Sequence, residues 1–153
     1  MRLPPALLAG VLAAALPAAI SAKETAIKKA DVPAPVIAAF EKAYPKATAK
    51  GFTREDENGK ACYEVELVEG SVPRDILYSA DGAVLEMEEG LQLNEVPDVV
   101  VRAVMAKYPK GVIKRAERLT KGETTTFELV VGLGRSRVEV KVNPNGTIAP
   151  DAK

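Results

Sequence analysis

Residues 32–47 read VPAPVIAAFEKAYPKA, and residues 96–111 read VPDVVVRAVMAKYPKG. The second stretch repeats the first at an offset of 64 residues, and the offset holds without a gap from Val32 to Ala149. Val32, Pro33, Val36, Ala39, Tyr44, Pro45 and Lys46 return as Val96, Pro97, Val100, Ala103, Tyr108, Pro109 and Lys110. Further along, Lys50, Arg54, Glu64, Gly70 and Gly82 return as Lys114, Arg118, Glu128, Gly134 and Gly146. One register kept over so much chain predicts two copies of a single supersecondary unit.

Each copy opens as a helix. Pro33 and Pro97 suit a helix start, where the missing N–H has no intrahelical partner to lose. Asp31 and Glu95 precede them, beside the positive end of the helix dipole. Val36, Phe40 and Tyr44 recur at i, i+4 and i+8, as do Val100, Val104 and Tyr108, giving each helix one apolar stripe. Pro45 and Pro109 end the helices, because a residue before proline avoids the helical region.

The period then changes to two. Tyr63, Val65 and Leu67 alternate with Cys62, Glu64 and Glu66; Phe127, Leu129 and Val131 alternate with Thr126, Glu128 and Val130; Val138, Val140 and Val142 alternate with Arg137, Glu139 and Lys141. Such alternation predicts half-buried strands. Asn58-Gly59, Asp81-Gly82, Lys121-Gly122 and Asn145-Gly146 supply the positive φ of tight hairpins. The expected fold is α+β: two tandem repeats, each one helix packed on a roughly four-stranded antiparallel meander, joined into one concave sheet. The expected boundaries are a secretory signal at 1–22, an N-terminal segment at 23–31, repeat 1 at 32–95 and repeat 2 at 96–153.

The signal rests on MRLPPALLAGVLAAALPAAISA, with a basic start, a short apolar core and the small-residue exit Ser21-Ala22. It predicts a periplasmic or secreted protein with no stable membrane insertion after cleavage. The chain has no His, which removes every Ser-His, Cys-His and His-metal device. Its single Cys, Cys62, cannot close an internal disulfide. Arg54–Gly59 fails as a calcium loop, because its first position is Arg54 and its twelfth Val65, where acidic ligands belong. Gly132-Leu133-Gly134 is too small for a phosphate loop and is expected to be a turn. Glu86, Glu88 and Glu89 are expected on a solvated strand edge. No metal, cofactor, nucleic acid or enzymatic activity is expected.

The Val-Pro-x-x-Val start, the Tyr-Pro-Lys helix end, Tyr-Glu-Val-Glu-Leu at 63–67 and Asp-Gly-Ala-Val-Leu at 81–85 resemble the PepSY-like, β-lactamase-inhibitor-protein-like domains of secreted bacterial proteins. Both 32–89 and 96–149 carry the resemblance. It implies tandem helix-plus-sheet units whose sheet grips another protein, and an inhibitory role against a hydrolase such as a peptidase or β-lactamase. No inhibitory residue carries over by motif.

The residues themselves point to the sheet face left free by the helices as a contact surface. The candidates, as outward partners of the buried alternation, are Glu64, Glu66, Asp75, Leu77, Glu128, Val130, Glu139 and Lys141. Charge is divided along the chain: 32–95 holds 13 acidic and 6 basic residues, and 96–153 holds 6 acidic and 11 basic. Such a split either steers a partner or draws the repeats together. The expected function is a non-enzymatic binding module for an envelope protein or peptide. The alternative is a small envelope protein that binds a cation or ligand with the carboxylates of repeat 1.

Overall fold

The structure is a computed structural model that describes residues 24–57 and 59–150. The expected secretory signal at 1–22 lies outside them, as does Asn58. The helices are α1, Ala34–Ala43, and α2, Asp98–Lys107. The strands are β1 Thr25–Ala26, β2 Thr48–Glu57, β3 Lys60–Glu69, β4 Val72–Ser79, β5 Val84–Leu91, β6 Val112–Lys121, β7 Thr124–Leu133 and β8 Ser136–Val142. They form one antiparallel sheet in the order β1 to β8, a continuous meander.

Sequence patterns fix the elements. Pro33 and Pro97 sit at the N-caps, and Tyr44 and Tyr108 cap the C-termini with N–H donors to the Phe40 and Val104 carbonyls at 2.9 Å. Single 3-10 turns, Lys29–Asp31 and Leu93–Glu95, precede the helices. The bounds of both helices, both 3-10 turns and the strand pairs β2/β6 and β3/β7 differ by 64 residues. Gly82 and Gly146 show why glycine returns in the hairpin after each third strand. Both have positive φ, +88° and +85°, and an added Cβ would lie 2.6 Å from the Pro35 carbonyl oxygen or 2.8 Å from Val99. Only glycine lets these turns tuck under the helix starts.

Both helices cover the same sheet face, each over its own core. Val36 and Phe40 pack with Val65, Leu67, Ile76 and Tyr78; Val100 and Val104 pack with Phe127, Leu129, Val131, Val140 and Val142. Burial of these apolar side chains is the main stabilising term. The Tyr78 hydroxyl has no hydrogen-bond partner among the described residues, and burial pushes its pKa up to about 12. Val142 fills the matching place in the second core.

The sheet departs from the simple pattern of two equal units. Among the described residues the first unit contributes four strands, β2 to β5, and the second three. The place of its fourth strand holds, among the described residues, one bridge, Val142↔Ile148, and Pro150, which follows, can donate nothing to a ladder. The N-terminal segment adds β1, which pairs Thr25 with Arg54 and Ala26 with Thr53. Gly132 and Leu133 continue β7, leaving Gly134, at φ +65°, to make the turn.

β5 is not an edge. It pairs with β4 on one side and β6 on the other, so Glu86, Glu88 and Glu89 stand mid-sheet. Glu89 lies on the helix side, 14% exposed, paired with Arg74 at 2.7 Å and with Arg118. Arg74 also stacks over the Tyr44 ring at 5.7 Å from its centroid. Glu86 pairs with Lys121 at 2.8 Å. Arg118 and Lys121 belong to the basic half, and both pair with carboxylates of the acidic half across the β5–β6 seam.

Candidate functional site: the open sheet face

Register carries one face across the whole sheet. Glu64 stands opposite Leu77 and Glu66 opposite Asp75; Asp75 stands opposite Glu88, and Glu88 opposite Leu119. Leu119 faces Thr126, Glu128 faces Lys141, and Val130 faces Glu139. Directly opposed residues share a face, and side chains alternate along a strand. All eight candidates therefore lie together on the face opposite the helices. Sequence reasoning missed Glu55, Glu86, Glu88 and Glu117 on the same face, opposite Cys62, Leu77, Asp75 and Glu128 respectively. The glutamate alternation on β3 reported its own face; the other four needed the register between strands.

Two candidates are not the free contacts expected. Leu77 is 7% exposed despite pointing away from the helices, and Glu64 is half-buried. Leu77 and Glu64 line a cavity of about 190 Å³ with Glu24, Glu55, Asp75, Glu86 and Glu88. Cys62 is also buried, at 4%, which withdraws its thiol from other chains. Glu66, Glu139 and Lys141 are exposed, while Asp75, Glu128 and Val130 are partly buried.

The face is electrostatically one-sided. Lys141 pairs with Glu128 at 3.2 Å and Arg115 with Glu117 at 3.3 Å. Glu64, Glu66, Asp75 and Glu88 have no cation within salt-bridge distance among the described residues. Burial first, then the carboxylates of Asp75, Glu55, Glu24 and Glu88, raise the Glu64 pKa to about 7. Burial and the nearby Glu117 and Glu128 raise Glu88 to about 7 as well. Asp75, Glu117 and Glu139 move upward, each chiefly through burial. Two carboxyls titrating near neutrality can exchange protons. Among the described residues no three metal-ligating side chains gather closely enough to hold an ion.

Raised carboxyl pKa values have a definite sign. The folded chain holds protons that the unfolded chain releases, so this stabilisation is full below about pH 4.5 and fades as pH passes 7. Glu64→Gln and Glu88→Gln are therefore each expected to stabilise the fold at pH 8, by about 1 kcal/mol. The gain is kept that small by solvent screening of half-exposed groups. It should vanish at pH 4.5. Urea titrations at both pH values check this, and an equal gain at both would contradict it.

Among solved structures, one similar protein is provisionally described as periplasmic, from Bacteroides eggerthii DSM 20697. It is 21% identical, with a TM-score of 0.65, over 78% of this chain and 86% of that one. A DUF2874 family protein from Bacteroides uniformis ATCC 8492 is 20% identical, with a TM-score of 0.63, over 77% and 86%. A BLIP-like protein from Bacteroides fragilis NCTC 9343 is 23% identical, with a TM-score of 0.59, over 77% and 84%. At these identities the likeness is one of fold. No curated protein matches the sequence. No helix among the described residues is long and apolar enough to cross a membrane. Residues 21–88 match the family described as PepSY, "Peptidase propeptide and YPEB domain", in agreement with the resemblance read from the helix ends and strand motifs.

Proposed function

We propose that this protein is a non-enzymatic module of the bacterial envelope, periplasmic or secreted, which grips a protein or peptide with its open sheet face. Glu64, Glu66 and Asp75 form its acidic centre, and Glu128, Val130, Glu139 and Lys141 its second half. The observation that carries this reading is a broad sheet face, uncovered by helices, whose central carboxylates Glu64, Glu66, Asp75 and Glu88 make no ion pair among the described residues. Such a face favours a partner presenting Lys or Arg, because each cation would relieve repulsion already present in the free protein. Two of the open-face carboxyls titrate near pH 7, so binding a basic partner would also release protons. The 64-residue offset in element bounds supports duplication of one PepSY-like unit into two tandem repeats.

The family's description as a peptidase propeptide, and the BLIP-like fold neighbour, are consistent with one form of this grip: blocking an envelope hydrolase such as a peptidase or β-lactamase. A pull-down from envelope extract tests the reading. Wild type should capture a defined protein. The variant carrying Glu64→Lys and Glu66→Lys should fold normally, since the introduced ammonium groups would sit among carboxylates. It should lose the capture, since those groups would repel a basic partner. Equal capture by both would remove the open face from the interface.

A further inference from the structure

The two halves of the open face differ in charge where their backbones coincide. β2 and β6 carry the same irregularity, one extra residue: Lys50 between Ala49 and Gly51, and Lys114 between Ile113 and Arg115. At a bulge the strand bends and re-aims its side chains, so two successive ones can share a face. Ile113 packs against the second core, and Arg115 stands opposite Val130 on the open face. Lys114 joins Arg115 there. A Cβ placed on Gly132 would lie 3.0 Å from Lys114 Cε and 3.4 Å from its Cγ, so the lysine stem crosses the space that Gly132 leaves empty. Gly132 also stands opposite Arg137.

Lys114, Arg115, Val130, Arg137, Val138 and Glu139 line a cavity of about 520 Å³ on this part of the face. Its three cations are all exposed. Arg115 reaches Glu117 at 3.3 Å, while Lys114 and Arg137 make no ion pair among the described residues. The first half supplies an internal comparison. Gly51 and Pro73 hold the places of Arg115 and Arg137, and Glu66 that of Val130. One strand register thus carries two guanidiniums and an apolar floor in the second half, against a glycine, a proline and a carboxylate in the first.

We propose that this cavity is an anion subsite of the open face, which takes the carboxylate of an Asp or Glu side chain on a bound protein or peptide. The proposal rests on the reading of that face as a grip. It adds that the partner carries both signs, with cations over Glu64, Glu66 and Asp75 and a carboxylate beside Lys114 and Arg137. A guanidinium fork matches a carboxylate in bidentate geometry, and an ammonium adds a point charge. Val130 accepts the methylenes of the acidic side chain. Glu139, in the same lining, repels a phosphate dianion more than a single carboxylate.

Nuclear magnetic resonance titration of the purified protein at constant ionic strength is the test, following the Gly132 amide and the Arg137 Nε. The probes are the blocked peptide acetyl-Gly-Glu-Glu-Gly-amide, its Gln-Gln counterpart and inorganic phosphate. The glutamate peptide should shift both signals saturably, and the glutamine peptide neither. Lys114→Gln and Arg137→Gln should each weaken the glutamate peptide by about five-fold, the loss of one charged hydrogen bond. Lys42→Gln, which removes an exposed cation on α1 across the sheet, should change it by less than about two-fold. The remaining amide signals report the folding of each variant. No saturable shift with the glutamate peptide overturns the proposal. So does an equal shift with the glutamine peptide, tighter binding of phosphate, or equal losses at Lys42 and Arg137. The titration involves no captured partner, so its failure is distinct from a failed pull-down.

Discussion

Phe40→Ala should lower the unfolding free energy by about 3–5 kcal/mol, the range for an aromatic truncated in a packed core. Phe40 is 4% exposed and lies against Val65, Leu67, Ile76 and Tyr78. Its ring stacks on Tyr44 at 6.5 Å between centroids, so the change also loosens the end of α1. Tyr44 in turn donates its hydroxyl to Met87 Sδ at 3.5 Å and lies under Arg74, which limits how far the site can collapse around the lost ring. On the open face, Glu66→Ala should cost about 0.5 kcal/mol or less, as for an exposed side chain that makes no ion pair among the described residues. Guanidinium denaturation of the three proteins checks both values. Comparable losses at the two positions would contradict the assignment of faces.

Glu89→Ala should cost about 2 kcal/mol. This lies between the small value of exposed pairs and the larger cost of breaking a buried one. Glu89 is 14% exposed and Arg74 is 17% exposed, so removing the carboxylate leaves a guanidinium largely out of water. Arg74 keeps Glu69 at 3.3 Å, which limits the loss. The same change breaks the contact to Arg118, an ion pair across the β5–β6 seam, as Lys121–Glu86 also is. Glu41→Ala provides the contrast. Its pair with Lys29 is 2.7 Å long but has both side chains more than half exposed, so about 0.5 kcal/mol or less is expected. Urea titration distinguishes these outcomes, and equal effects at Glu41 and Glu89 would contradict the buried role of the seam pair.

Local chemistry made much of this fold legible. The Val-Pro and Tyr-Pro pairs bracket both helices, and the period-two runs mark β3, β7 and β8. Glycine turns separate the strands, and the alternation alone placed all eight candidates on one face. Non-local pairing decided the rest. Nothing in Glu86, Glu88 and Glu89 says that β6 joins β5 on its far side, so a mid-sheet strand looked like an edge. Two residues of β1 are too few to show a period. Leu77 pointed to the correct face, but it lines a cavity assembled from four strands and Glu24. The raised pKa values of Glu64 and Glu88 are likewise a property of carboxylates gathered by register, from positions scattered between 24 and 128. The charge split was visible in the sequence. Its seam pairs, Arg118–Glu89 and Lys121–Glu86, show that part of it holds the two halves together.

The central claim is that the open acidic face is the binding surface, and association kinetics test it most directly. With the captured protein immobilised, binding of wild type and of the Glu64→Lys/Glu66→Lys variant is followed across a salt series. Exposed charges are screened beyond about 8 Å at physiological ionic strength. The account predicts that wild-type association slows as salt rises while dissociation changes little, and that the variant associates slowly at every salt concentration. Folded variant and wild type binding at the same rates, with the same dependence on salt, would contradict it.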